Sequence, residues 1–210
     1  MADEKEFIED SVEASQKLFR FKEVIKESTG YEVLPINESY ATIVDEIKQT
    51  LAANLIKLSD RVKSHYTGRS NELGNFLDAE LMKIINTIPH FMARRPATAS
   101  GREQSAGYPD LILNAHGKTL YLETKIYQPK TKTSTLRTFY FKPTEKENIK
   151  VNHSCPHILI GFEVESLGKN NRSPFMVKDF EIVDLFDLKV NFKPEFNANN
   201  PMIYDDCHSL

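Results

Sequence analysis

Residues 107–125 read GYPDLILNAHGKTLYLETK, and this stretch has the pattern of two β-strands joined by a tight turn. Apolar and β-branched side chains fill 108–114 and 119–126, which predicts a strand in each segment. Between these two segments, His116-Gly117 favours a turn. The stretch therefore predicts a β-hairpin.

Three charged side chains converge if this hairpin forms. Side chains alternate between the two faces of a strand, so Glu123 and Lys125 share one face of the second strand. The turn brings Asp110 of the first strand beside them. Two carboxylates can hold a magnesium ion that acidifies a bound water, and a neighbouring ammonium can stabilise charge developing at a phosphate. Asp110, Glu123 and Lys125 are therefore candidate catalytic residues, and a merely structural pairing of surface charges is the alternative.

This segment resembles the PD-(D/E)xK nucleases, a superfamily that includes most type II restriction endonucleases. The resemblance covers residues 107–126: a proline directly before Asp110, then twelve residues, then Glu123-Thr124-Lys125. It implies that Asp110 and Glu123 ligate Mg²⁺ together with the main-chain carbonyl of Thr124. It also implies that Lys125 contacts the attacking water or the scissile phosphate, and that cleavage leaves 5′-phosphate and 3′-hydroxyl ends.

Many members of this superfamily carry a further glutamate on the helix before the first motif strand. Apolar side chains at helical spacing predict a helix over 71–87, capped by Ser70 or Asn71. Glu72, at the edge of the apolar stripe, is the candidate for the catalytic role, and Glu80 is a weaker substitute. The alternative is that Glu72 only stabilises the helix dipole from the first turn.

The rest of the chain mixes helices and strands. Apolar spacing predicts three further helical segments: 4–28, 39–66 and, as a short helix, 144–152. The mostly apolar run over 157–165 predicts a strand buried on both faces. Residues 90–106 and 127–143 are predicted loops, and 178–210 has a mixed pattern that favours no element.

The order of these elements predicts an α/β fold of the α+β kind, with a mixed sheet flanked by helices. Residues 71–210 are expected to form a restriction-endonuclease-like core. Residues 1–70 are expected to form a helical N-terminal region that serves dimerisation or clasps DNA.

Charge is unevenly distributed along the chain. The net charge is −3, which argues against non-specific coating of DNA, yet residues 125–150 hold seven Lys or Arg and two Glu. Cations and amides suit contacts to phosphates and base edges. The candidate DNA-binding residues lie in the two predicted loops: Arg94, Arg95, Arg102, Gln104, Lys130, Lys132, Arg137 and Lys142. Solvated loops without a DNA contact are the alternative.

Several classes of protein are excluded by the sequence pattern. No apolar run is long enough for a membrane span, and the acidic N-terminus lacks the layout of a secretory signal. Cys155 and Cys207 lie far apart, which favours two free thiols in the cytoplasm over a disulfide or zinc site. No phosphate-binding loop of a nucleotide-driven motor is present, so no nucleotide cofactor is expected.

These observations together predict a Mg²⁺-dependent type II restriction endonuclease that binds a short palindromic site in double-stranded DNA as a homodimer. A repair or recombination nuclease of the same fold, such as a mismatch nickase or a junction resolvase, is one alternative. A non-catalytic DNA-binding protein is the alternative from another class.

Overall fold

The computed structural model describes residues 2–70, 72–104, 106–132, 138–139, 146–169 and 172–193. The helices are α1 (Ala2–Gln16), α2 (Phe21–Thr29), α3 (Glu38–His65) and α4 (Leu73–Ile85). The strands are β1 (Phe19–Arg20), β2 (Phe91–Arg94), β3 (Leu111–Ala115), β4 (Lys118–Tyr127), β5 (His157–Ser166), β6 (Phe175–Asp184) and β7 (Lys189–Val190). The chain divides into two compact units: residues 21–188, and residues 1–20 with 189–210.

The larger unit is built on a mixed five-stranded sheet with the strand order β2-β3-β4-β5-β6. Neighbouring strands are antiparallel except β4 and β5, which run parallel. Helix α3 packs against β6 and α4, and α4 packs against β4 and β2. The unit therefore has an α+β fold in which helices flank a mixed sheet, as the sequence predicts.

The core lies between α3, α4 and one face of the sheet. Alternate residues of β3 and β4, such as Leu111, Leu113 and Leu122, belong to it, as do Leu77 and Leu81 of α4. Because side chains alternate, the residues between them in β4 point to the opposite face. The sheet thus separates an apolar, helix-covered face from the face that carries Glu123 and Lys125.

The predicted hairpin is confirmed. Leu111 pairs with Leu122 and Ala115 with Lys118, so that His116 and Gly117 form a two-residue turn. Both turn residues have left-handed backbone angles, with φ of 49° at His116 and 73° at Gly117. Such angles match the twist of a hairpin, and glycine adopts them without steric cost.

Other predicted elements are confirmed with shifted ends. Helix α3 matches the prediction over 39–66, β5 matches 157–165, and α4 lies within the predicted 71–87. The predicted cap of α4 at Ser70 or Asn71 is wrong, because Glu72 occupies the N-cap position and makes no capping hydrogen bond through its side chain. Of the short helix predicted over 144–152, a single 3₁₀ turn is described at 146–148.

Three elements differ from the sequence prediction. The helix expected over 4–28 is broken into α1 and α2 by the two-residue strand β1. Strand β2 forms inside the predicted loop 90–106, and β6 begins just before the tail for which no element was predicted. Strands β2 and β6 lie at the two edges of the sheet, where backbone pairing with a neighbour stabilises a strand whose own sequence signal is small.

The smaller unit contains α1 and the two-stranded antiparallel pair β1–β7. The rings of Phe19 and Phe192 contact each other there, with 5.0 Å between centroids. Across the described residues of both units, no helix combines the length and the apolar composition needed to cross a membrane.

Candidate active site

Asp110 directly precedes β3, and the hairpin holds its carboxylate beside the second motif strand. The main-chain N–H of Thr124 in β4 donates a hydrogen bond of 2.8 Å to Asp110 Oδ2. This contact follows from the pairing of Leu111 with Leu122, which brings the residues just before β3 opposite the middle of β4. The first motif residue is therefore fixed by backbone geometry.

Glu123 and Lys125 lie next to each other on one face of β4. The Lys125 ammonium donates to Glu123 Oε1, and the two side chains form an ion pair. Glu123 is 3% exposed, and its second oxygen, Oε2, has no hydrogen-bond partner among the described residues. The structure thus brings Asp110, Glu123 and Lys125 together around a buried carboxylate that has one oxygen unused.

A third carboxylate, Asp78 of α4, joins this cluster. Asp78 is 3% exposed, and its Oδ2 accepts a hydrogen bond of 2.9 Å from Arg95 Nη1. The same Nη1 lies 3.3 Å from the main-chain oxygen of Asp110 and donates to it as well. Within the described part of the chain, Asp78 Oδ1 has no hydrogen-bond partner. Arg95 therefore ties the helix carboxylate to the start of β3.

The sequence pattern predicts Glu72 as the helix carboxylate of the site, whereas the carboxylate of α4 that lies near Asp110 is Asp78. Glu72 is at the N-cap of α4, adjacent to Gly68 and Tyr66, and the structure does not bring it to the carboxylate cluster. Glu80, the weaker candidate, is buried like Asp78, but its carboxylate forms ion pairs with Arg61 and Lys83. The signal for Asp78 was its place beside the apolar positions of α4, where a charge is costly unless it has a partner or a role.

The electrostatics of the cluster are unfavourable without a cation. Burial, together with the charges of Asp110 and Asp78, raises the pKa of Glu123 to about 7, and Lys125 opposes this shift. Burial and the charge of Asp110 also raise the pKa of Asp78, against the effect of Arg95. Buried carboxylates that repel one another need a positive charge to stay ionised.

The donor set fits a hard divalent cation. Asp110 and Glu123 offer carboxylate oxygens from neighbouring positions of the hairpin, and one oxygen each of Glu123 and Asp78 has no hydrogen-bond partner among the described residues. Across the described residues, no group of three or more His, Cys, Asp or Glu side chains has the spacing of a complete metal site. An ion held here would therefore complete its shell with a main-chain carbonyl and water, as Mg²⁺ commonly does.

A buried aromatic and histidine cluster supports the sheet face below Glu123. The Tyr108 hydroxyl and His157 Nδ1 form a hydrogen bond of 2.5 Å, and the two rings stack with 5.8 Å between centroids. The Tyr121 ring packs edge-on against His157. Burial lowers the pKa of His157 to about 3, so the imidazole is neutral at physiological pH and acts as packing rather than as a proton carrier.

The predicted DNA-contacting residues have different surroundings. Arg95 is engaged by Asp78, and Arg94 donates to the main-chain oxygen of Arg95 at 3.4 Å. Gln104 donates to the main-chain oxygen of Ala106, and Arg102 is exposed. Arg137 and Lys142 lie outside the described residues.

The two predicted DNA-contacting lysines within the described residues, Lys130 and Lys132, differ as well. Lys130 is exposed, whereas Lys132 forms an ion pair with Glu181. Lys132 also lines a groove of about 160 Å³ that opens beside Lys125.

Comparison with known proteins shows the family of this chain. The family model described as the type II restriction enzyme MjaV family matches residues 14–207. A curated relative, the type II restriction enzyme MjaV of Methanocaldococcus jannaschii, is 29% identical in an alignment 206 positions long that covers 88% of this chain and 84% of the relative. The chain belongs to the MjaV family of type II restriction enzymes, which are site-specific nucleases.

Proposed function

We propose that this restriction enzyme hydrolyses double-stranded DNA at a short specific sequence with Mg²⁺ held by Asp110, Glu123 and the main-chain carbonyl of Thr124. The observation that carries the proposal is the buried Glu123 carboxylate, whose Oε2 lacks a described partner beside the charge of Asp110. A cation at this point would satisfy the unused oxygen and remove the repulsion between the two carboxylates. Asp78 would contribute a third negative charge from the helix side.

When bound, Mg²⁺ would neutralise charge on the scissile phosphate and lower the pKa of a water ligand. The residues of the chain supply the rest of the mechanism. Lys125 exchanges its ion pair with Glu123 for a contact to the attacking water or the phosphate. Arg95 holds the Asp78 carboxylate next to the main chain of Asp110 by donating hydrogen bonds to both. Attack by water on phosphorus then leaves 5′-phosphate and 3′-hydroxyl ends.

Contacts to DNA would come from the loops around the cluster. Arg102 and Lys130 are exposed and carry charges suited to phosphate contacts. Gln104 lies in the same loop as Arg102, between β2 and β3. Lys132 would have to leave Glu181 to reach a phosphate, and an exposed ion pair of this kind costs little to break. Arg94, Arg137 and Lys142 remain candidates for the same surface.

The test is digestion of a long linear DNA with MgCl₂, with CaCl₂ and with EDTA, followed by sequencing of the fragment ends. Of these three reactions, only the one with MgCl₂ is expected to give discrete fragments with 5′-phosphates. Asp110→Ala should abolish cleavage, whereas Glu165→Gln, which alters an exposed ion pair with Lys178, should leave it unchanged. Cleavage restricted to four-way junctions or mismatches would favour a repair or recombination nuclease. DNA binding without any cleavage would favour the non-catalytic alternative.

We further propose that two copies of the chain act together, one on each strand of a palindromic site. Helix α1 exposes Phe7, Ile8 and Val12, apolar side chains that are suited to association with a second copy. Sedimentation of the wild-type protein and of a Phe7→Ser/Ile8→Ser variant, free and on a palindromic duplex, tests this. A wild-type monomer in both states contradicts the dimer. A dimer that survives the double substitution places the interface elsewhere.

A further inference from the structure

Phe139, in the predicted loop over 127–143, places an aromatic ring beside the candidate catalytic lysine. The Lys125 ammonium lies over the face of this ring, 5.4 Å from the ring centroid. An ammonium within about 6 Å of a ring centroid is attracted by the negative potential of the aromatic face. The same ammonium also forms the ion pair with Glu123. The ring is therefore a second partner of Lys125, contributed by a different part of the chain.

Buried aromatic side chains hold the Phe139 ring in this place. It packs edge-on against the Tyr108 ring, with 5.7 Å between centroids, and at a tilt against the Phe21 ring, with 5.6 Å. Tilted and edge-on pairs at such distances are the favoured arrangements of aromatic rings. Tyr108 and Phe21 are each 3% exposed, and Tyr108 is fixed in turn by its hydrogen bond to His157. The ring that faces Lys125 is thus anchored on buried side chains.

The contact with the ring gains importance when Glu123 binds a metal ion. In the absence of metal, the Glu123 carboxylate attracts the ammonium of Lys125 and keeps it in the site. A carboxylate that shares its charge with a divalent cation attracts the ammonium less, and the cation itself repels it. A lysine has a flexible stem and a strongly hydrated head, so Lys125 would then turn toward water. The Phe139 ring is not a ligand for a hard cation, so its attraction for the ammonium is retained.

We propose that Phe139 is a positioning residue, whose ring keeps the Lys125 ammonium in the active site after Glu123 has been engaged by the metal. The inference rests on the proposed function, because Phe139 acts through the role assigned there to Lys125. The ring itself neither binds the metal nor touches the phosphate. It limits the directions in which the ammonium can turn, so the ammonium stays close to the water or phosphate that it contacts.

Fluorinated phenylalanines at position 139 test this role while preserving the packing of the ring. Fluorine changes the shape of the ring little and withdraws negative charge from its face, so the attraction for an ammonium weakens as fluorines are added. With enzyme in excess over DNA, the cleavage rate in MgCl₂ should fall from wild type through the monofluoro to the trifluoro protein, by roughly fivefold in total. The dissociation constant for the same duplex in CaCl₂ should stay unchanged, because the ring acts on the chemical step.

Phe21 provides the matched control for ring packing. Its ring also packs edge-on against Tyr108, at 5.6 Å, and has no cation over its face among the described residues. The same fluorinated residues at position 21 should therefore leave the cleavage rate unchanged. At position 139, Phe139→Tyr retains an aromatic face and should cleave at close to the wild-type rate. Phe139→Leu loses that face and should be at least as slow as the trifluoro protein.

A second measurement needs neither metal nor DNA. The fluorine NMR resonance of monofluorophenylalanine at position 139 reports the charge over the ring, and it is recorded in EDTA. Lys125→Met removes this charge and should shift the resonance. Lys178→Met, which breaks an exposed ion pair with Glu165, should leave it in place. An unchanged resonance in Lys125→Met would show that the ammonium does not lie over the ring and would overturn the proposal.

The cleavage data can overturn it in two further ways. Equal rates across the fluorinated series would show that the ring face has no part in the reaction, and faster cleavage by Phe139→Leu would show that the ring obstructs DNA. If Phe139→Leu does not fold, the fluorinated series decides, because it keeps the packing on Tyr108 and Phe21. Wild-type cleavage with equal rates across the series refutes only the positioning role. Absence of wild-type cleavage refutes the proposed function and, with it, this role.

Discussion

Replacing Glu123 by glutamine should stabilise the metal-free protein while abolishing its activity. Burial, together with the charges of Asp110 and Asp78, raises the pKa of Glu123 from 4.5 to about 7. Protonation of this side chain therefore favours the folded state. The stabilisation of the folded state by the protonated Glu123 is fully present below pH 4.5 and is lost as the pH rises through 7. At pH 8 the ionised side chain lowers the free energy of unfolding by roughly 3 kcal/mol relative to a neutral group of the same shape.

Urea unfolding of wild type and Glu123→Gln in EDTA measures this difference. At pH 8 the variant should be more stable by roughly 3 kcal/mol, and at pH 5 the gain should fall below about 1 kcal/mol, because wild-type Glu123 is then mostly neutral in the folded protein. Cleavage in MgCl₂ should be lost, since an amide oxygen is a poorer metal ligand than a carboxylate. The same change would thus raise stability and remove function.

Glu80→Gln is the matched control, because Glu80 is buried to a similar extent in the same unit. Its burial raises the pKa, but hydrogen bonds from Arg61 and Lys83 outweigh that effect and leave the pKa below its ordinary value. Glu80→Gln should therefore destabilise the protein at pH 8 and spare the chemistry. The reasoning is refuted if Glu123→Gln is no more stable than wild type at pH 8, or if its gain is the same at pH 5.

Three further predictions address the helix carboxylate, the buried histidine and the DNA surface. Asp78→Asn should weaken Ca²⁺ binding about tenfold, because it removes a negative charge near Asp110; calorimetry that shows wild-type affinity would exclude Asp78 from the metal site. The unfolded chain protonates His157 below pH 6.5, whereas the folded chain resists protonation down to about pH 3, so this residue should cost wild type roughly 2 kcal/mol between pH 7 and pH 5. His157→Gln should lose that component of the acid sensitivity in urea unfolding, and a variant with the wild-type slope would contradict the neutral buried imidazole. Arg102→Ala should weaken DNA binding and reduce its salt dependence by about one phosphate contact without shifting the melting temperature; an unchanged salt slope in a binding titration would remove Arg102 from the interface.

The local features of this protein were predictable from short stretches of sequence. The hairpin follows from two apolar strand patterns around His116-Gly117, and the shared face of Glu123 and Lys125 follows from the alternation of side chains along a strand. The long helix α3 was visible from its spaced apolar residues. Each of these signals depends only on neighbours within a few positions of the chain.

The edge strands β2 and β6 were not predictable in this way. Strand β2 has only four residues. It forms because its backbone pairs with β3, which follows it after the loop between Arg94 and Leu111. Strand β6 pairs with β5 through a bulge at Glu163 and Val164, which changes the register part of the way along the pair. Their formation depends on the partner strand more than on their own side chains.

Sequence alone determined which residue types meet at the hairpin: two carboxylates and an ammonium whose spacing a β-strand places together. Only the tertiary structure decided which other charges join them. Asp78 reaches Asp110 through the packing of α4 on the sheet, and Arg95 hydrogen-bonds to both residues. Periodicity reports the geometry of one element, whereas the charge balance of a buried site is set by all the elements that surround it.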